Sequence, residues 1–188
     1  MTEELFFQEV WDIYCLSKKT EEVFNQFQKR FLSDFSEETK YLKERSSKKQ
    51  DNPSTDEDEE KEQLDEKYAK LYKKIVKITH PDKDVEKKHK DLFLAATDAK
   101  ENNQWQIIFL IASKLSIDIP VLTFQERKGI TNFGRMYSNR TAQMKNSHEW
   151  QWNMRSETKK ELFKIDLYEK FDIDKDIFDK WRISNETK

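Results

Sequence analysis

Apolar residues recur at helical spacing along most of this chain. Leu64, Tyr68, Leu71, Ile75 and Ile78 stand four, three, four and three apart, one narrow stripe of a helix expected over 63–78. A second helix is expected over 85–102, after a proline-containing break. Near the start, Leu5, Phe6, Phe7, Val10, Trp11, Ile13, Tyr14 and Leu16 put apolar groups on more than one side of a helix over 3–16, which predicts burial between neighbours. Lys18-Lys19 interrupts that pattern, and Thr20 then suits the cap of a separate helix lined by Val23, Phe24, Phe27, Phe31 and Phe35.

The second half of the chain continues in the same way. Ile107, Ile108, Ile111, Ala112 and Leu115 define a short, strongly apolar helix over 105–115. Thr123 and Glu126 have capping-box spacing ahead of Phe124, Ile130, Phe133, Tyr137 and Met144. Gly129 and Gly134 inside that helix cost about 1 kcal/mol each unless they permit close packing. Trp150 and Trp152 read as core, then Leu162, Phe163, Ile165, Leu167, Tyr168 and Phe171 follow a helical pattern. Asp174 suits the cap of a last helix carrying Ile177, Phe178 and Trp181. No run alternates long enough for a strand, so the expected class is all-α.

The break between the helices over 63–78 and 85–102 holds His80-Pro81-Asp82-Lys83. Proline lacks an N–H, clashes with the preceding turn and drives the residue before it out of the helical region. A helix reaching Thr79 must therefore stop, displaying His80 and Asp82 on a tight loop. Lys67, Lys70, Lys74 and Lys77 repeat the spacing of the apolar stripe, about a quarter-turn round from it at ~100° per residue. Lys73 extends that basic face. A solvated lysine face is common on helices; here it leads directly into the broken polar loop.

Charge and composition narrow the classes. Charged residues are 38% of 188, with two glycines and three prolines, against about 25% charged in an average globular protein. The stretch 46–60 is polar, then acidic from Asp56 to Glu60, and reads as a flexible link whose Thr55 or Asp56 caps the next helix. The linear division expected is thus a helical segment over 1–45, a linker over 46–60, a central helical module over 61–119 and a helical segment over 120–188. A formal net charge of −2 argues against a wholesale nucleic-acid binder. The single Cys15 leaves no internal disulfide, and His80, His89 and His148 are too scattered for a metal site. No nucleophile–base constellation or phosphate loop appears, so neither an enzyme nor a cofactor is expected. No signal-peptide pattern or long apolar span is present, which implies a soluble, cytoplasmic protein (or a virion component) with no membrane partner.

Around the loop the residues resemble the J-domain family, the DnaJ-like partners of DnaK-type heat-shock ATPases. Tyr72, Lys73, Lys74 and Ile75 stand where the family's second helix has an aromatic residue, a basic pair and an aliphatic residue. Phe93 and Ala99 match a phenylalanine and a small alanine of its third helix. Thr79 and Lys100 replace usual aromatics, and the family's first helix has no counterpart upstream. The resemblance implies a J-like module of two helices joined by the His-Pro-Asp loop, embedded between helical segments. It would dock on the ATP-bound state of a DnaK-type chaperone, stimulate its ATP hydrolysis and serve an unidentified client. His80, Pro81, Asp82 and Lys83 with Lys67, Lys70, Lys73, Lys74 and Lys77 would contact that partner. The helix over 105–115 is expected to pack on the other two in place of the missing first helix. The competing reading is a structural or assembly protein, of viral origin, that keeps the loop as a relic and acts through aromatic-rich flanks.

Overall fold

Lysine is a good helix former, and Lys18-Lys19 does not stop the first helix: α1 runs unbroken over Glu3–Asp34. Thr20 is buried in the interior of this helix and not at the start of a separate one. The computed structural model describes residues 3–46, 65–82 and 89–186. The further helices are α2 Ser36–Ser46, α3 Glu66–Thr79, α4 Lys90–Glu101, α5 Trp105–Lys114, α6 Phe124–Asn146, α7 His148–Asn153, α8 Glu157–Lys170 and α9 Lys175–Glu186. The protein is all-α, with no strand among the described residues. None of these helices is long and apolar enough to cross a membrane. Ser46, the first residue of the expected linker, ends α2; the rest of that linker, its caps Thr55 and Asp56, and the stripe residue Leu64 lie outside the described residues. So do Lys83 and the expected helix start at Val85.

Contacts group the chain into two units, Met1–Lys18 with Glu57–Arg140 and Lys19–Asp56 with Thr141–Lys188. The divisions fall inside α1 and α6.

The first unit is built around α5. Six successive side chains, Ile107 to Ala112, are buried, so this helix is covered on every side. Helices α3, α4 and α5 each pack on the other two, and Leu71, Ile75, Ala96, Ile108 and Ile111 share one core. The expected packing of α5 against the helices flanking the loop is observed. The start of α1 supplies Phe7, Val10, Trp11 and Tyr14 to the same core. Leu5 and Leu16 are exposed, so this part of α1 buries one face and not several. Phe7 meets Phe109 edge-on at 5.0 Å between ring centroids, and Tyr14 meets Tyr137 at 5.1 Å. Of the two glycines in α6, Gly129 sits at a close approach and Gly134 at an ordinary contact. A Cβ on Gly129 would stand 3.0 Å from the Trp105 ring, and one on Gly134 would stand 3.4 Å from Val10.

The capping box is formed. Thr123 N–H donates to Glu126 Oε2 at 2.8 Å, and Glu126 N–H donates to Thr123 Oγ1 at 3.2 Å. Helices α4 and α5 end without glycine, on Asn103 and Ser116 at φ 54. Each closes a Schellman pair of bonds: Gln104 N–H to Ala99 O at 2.8 Å with Asn103 N–H to Lys100 O, and Ile117 N–H to Ala112 O at 2.9 Å with Ser116 N–H to Ser113 O. Left-handed backbone costs non-glycine residues ~1–2 kcal/mol. Satisfied carbonyls and a following apolar anchor offset that cost.

The second unit has a smaller core of Phe35, Trp152, Phe163 and Leu167 with Phe31 against it. Trp152 is core as expected, and its indole N–H donates to Asp34 at 2.8 Å; Trp150 is half-buried against Phe27. Leu162 and Ile165, placed in the apolar pattern of α8, are exposed. Asp174 caps α9 through the Ile177 N–H at 3.0 Å.

Candidate functional site: the turn between α3 and α4

Helix α3 begins where Asp65 accepts the Lys67 N–H at 2.8 Å, which satisfies one of the first free donors. It buries Tyr68, Leu71, Ile75 and Thr79. Ile78, read from spacing as part of the apolar stripe, is 45% exposed, and Thr79 is fully buried instead. A buried hydroxyl needs a partner; Thr79 Oγ1 donates to Ile75 O, one turn back, at 3.0 Å. The buried side is thereby rotated away from the lysines. At ~100° per residue, Lys70, Lys73, Lys74 and Lys77 centre on roughly the opposite side of α3. All four are exposed. Lys70 reaches Glu66 at 2.9 Å, a solvated surface pair of the kind worth little.

Lys67 is placed differently. It is half-buried, and its Nζ donates to Glu126 Oε1 at 2.6 Å. Tyr68 Oη donates to the same oxygen at 2.6 Å, while Thr123 holds the other one. Burial pushes the Glu126 carboxyl up, but the bonds from Lys67, Tyr68 and Thr123 together outweigh it and hold it at about 2. Burial and the adjacent carboxylate push the Tyr68 hydroxyl far above its ordinary value. Lys67 therefore fastens α3 to α6, and four of the five predicted lysines form the open basic face.

The helix ends as the proline requires. His80 has ψ 132 and donates its N–H to Val76 O. Pro81 and Asp82 form the turn. His80 Nδ1 accepts the Asp82 N–H at 3.3 Å, which in the neutral ring puts the proton on Nε2. The same nitrogen is 3.5 Å from the Asp82 carboxylate. The His80 ring meets Phe93 edge-on at 5.6 Å, and so ties the turn to α4. Asp82 itself is 88% exposed on its side chain. Behind it, Ala96 and Ala99 are fully buried, which brings the backbone of α4 close to its neighbours. Lys100 lies over the Tyr72 ring at 5.0 Å, a cation–π contact between α4 and α3. Ile78 and Leu94 on these two helices are exposed. Among the described residues no group of His, Cys, Asp and Glu is arranged to hold a metal ion.

Comparison with protein-family models, with curated proteins and with solved structures finds no match to this chain. The fold and this element define the class: an all-α protein with an exposed His-Pro-Asp turn at the end of a basic, one-sidedly buried helix.

Proposed function

We propose that α3, the His-Pro-Asp turn and α4 act as a J-type docking element that binds a DnaK-type chaperone in its ATP state and stimulates its ATP hydrolysis. One observation carries this reading. Pro81, Asp82 and the lysines Lys70, Lys73, Lys74 and Lys77 are exposed together, with His80 half-buried, on a helix whose other side is anchored in the core. Exposed cations of one sign steer an acidic partner surface and set register. Asp82 accepts hydrogen bonds from a basic group of the partner, and His80 with Pro81 gives the turn its shape. The chain performs no chemistry of its own in this reading.

The test is steady-state ATPase of several purified DnaK-type chaperones, with and without the full chain. Stimulation is expected, and Asp82→Asn abolishes it while helicity and Tm stay nearly unchanged, because an exposed turn side chain carries little folding energy; His80→Gln abolishes it too, with at most a small drop in Tm from the lost Phe93 contact. Lys70→Glu with Lys74→Glu slows association, and added salt mimics it. No stimulation of any chaperone overturns the proposal in favour of an assembly role. Unfolding by either turn substitution makes the turn a structural element.

A further inference from the structure

Acidic residues are 37 of 188, so 22 residues carry about four on average. Residues 127–148 carry none, yet they hold Arg127, Lys128, Arg135, Arg140 and Lys145. The near-balanced charge of the whole chain conceals this local excess. In the first unit this stretch belongs to α6, which buries Ile130, Phe133 and Tyr137 on one side and leaves another side open. Phe124, Lys128, Thr131, Arg135 and Ser138 follow one another at four, three, four and three, a single line along the helix, and all five are exposed.

Glu126, the nearest acid in sequence, is turned inward and consumed by Lys67, Tyr68 and Thr123. Arg127 pairs with Glu3. Lys128 and Arg135 have no ion pair or side-chain hydrogen bond among the described residues. Asn132 and Asn139 flank them, also exposed. This differs from the α3 face, which is lysines with Glu66 among them. Cations interleaved with amides and hydroxyls are the groups that hold phosphate and sugar. Phe124, 77% exposed, offers a ring on which a base can stack. From Lys128 to Arg135 the helix rises ~10.5 Å at ~1.5 Å per residue, roughly three nucleotides of a stacked strand at ~3.4 Å each.

We infer that this face of α6 binds single-stranded nucleic acid through its sugar–phosphate backbone. The site is separate from the chaperone-docking element and stands without it. The test is fluorescence anisotropy of labelled single strands of about 20 nucleotides, oligo(dT) and oligo(rU), against the full chain over a salt series. Saturable binding is expected, with affinity falling by ~0.7 log units per log unit of salt for each phosphate held. Lys128→Gln with Arg135→Gln then weakens binding more than about tenfold at low salt and flattens the slope by ~1.4, two contacts' worth. Phe124→Ala weakens binding without changing the slope. Lys70→Gln with Lys74→Gln leaves affinity within about twofold. Ser138→Asp, which restores an acid to the line, reproduces the loss if the double variant misfolds. Absence of saturable binding, equal affinity for poly-glutamate of the same length, or a larger loss from the α3 variant than from the α6 variant each overturns the inference.

Discussion

Each unit contains a tyrosine and a lysine that donate to one glutamate, and the two triads are held differently. In the first, Tyr68 and Lys67 meet Glu126 at 2.6 Å each; in the second, Tyr168 and Lys164 meet Glu38 at 2.6 and 2.8 Å. Glu38 is the more buried carboxylate, its side chain 7% exposed against 20% for Glu126. Burial raises both groups, hydrogen bonds pull both below their ordinary value, and Glu126 falls to about 2. The added holders are the Thr123 N–H and hydroxyl of the capping box. In both cases the donors around the carboxylate outweigh the cost of burying its charge. The surroundings differ in kind as well. The first unit has a large core of aliphatic and aromatic side chains that includes Tyr68 itself, whereas the core of the second is four buried residues with Phe31 against them.

The sharpest way to break that comparison is to truncate a buried side chain of the first unit and an exposed one of the second. Ile111→Ala, in the middle of α5, is expected to destabilise the first unit by ~2–5 kcal/mol. Ile165→Ala in the second unit, where the side chain is exposed, should stay within about 0.5 kcal/mol. Denaturant unfolding of the two variants measures the contrast. Equal losses would mean that α5 is not the centre of its unit.

Removing the charge from each triad comes next. Glu126→Gln should cost ~1–3 kcal/mol, because it strands the half-buried Lys67 and weakens the cap. Both carboxylates have depressed folded-state values, so their contribution is complete above the ordinary 4.5 and is lost as pH falls toward about 2 for Glu126. The acid-side slope of Tm should therefore flatten in Glu126→Gln. Tyr68 and Tyr168 are raised; their contribution is complete below the ordinary 10 and lost as pH climbs beyond it. Tyr68→Phe should reduce that alkaline loss.

The smallest effects come from the two glycines, and their signs differ. Alanine gains ~1 kcal/mol over glycine in a helix interior. At Gly134 the added methyl meets Val10 at an ordinary distance, so Gly134→Ala should raise Tm slightly. At Gly129 it meets the Trp105 ring at 3.0 Å, with Tyr68 packed on that ring at 4.8 Å. Overpacking costs ~1–3 kcal/mol, so Gly129→Ala should lower Tm. Calorimetry of the pair decides it, and two shifts of the same sign would show that Trp105 is free to move.

Local chemistry wrote much of this structure into the chain. Pro81 ends α3, Thr123 and Glu126 cap α6, Asp174 caps α9, and helical periodicity specifies an all-α protein. Each depends on residues within a turn or two of one another, where sterics and hydrogen bonding act without a partner element. The exposed turn and its lysines were legible for the same reason. What lay beyond local reach was decided by packing. Lys18-Lys19 does not break α1, since Phe7, Val10, Trp11 and Tyr14 on one side of the pair and Phe31 and Phe35 on the other anchor a continuous helix. Thr79 rather than Ile78 enters the core, a choice of rotation that only the neighbouring helices impose. Lys67 is removed from the basic face by Glu126, fifty-nine residues away. Asn103 and Ser116 end helices in a conformation that the glycine-poor sequence does not announce, because the carbonyls behind them and the apolar residues after them are positioned by the core. Periodicity gives the stripe of a helix, and only the bodies packed around it determine which edge of that stripe is covered.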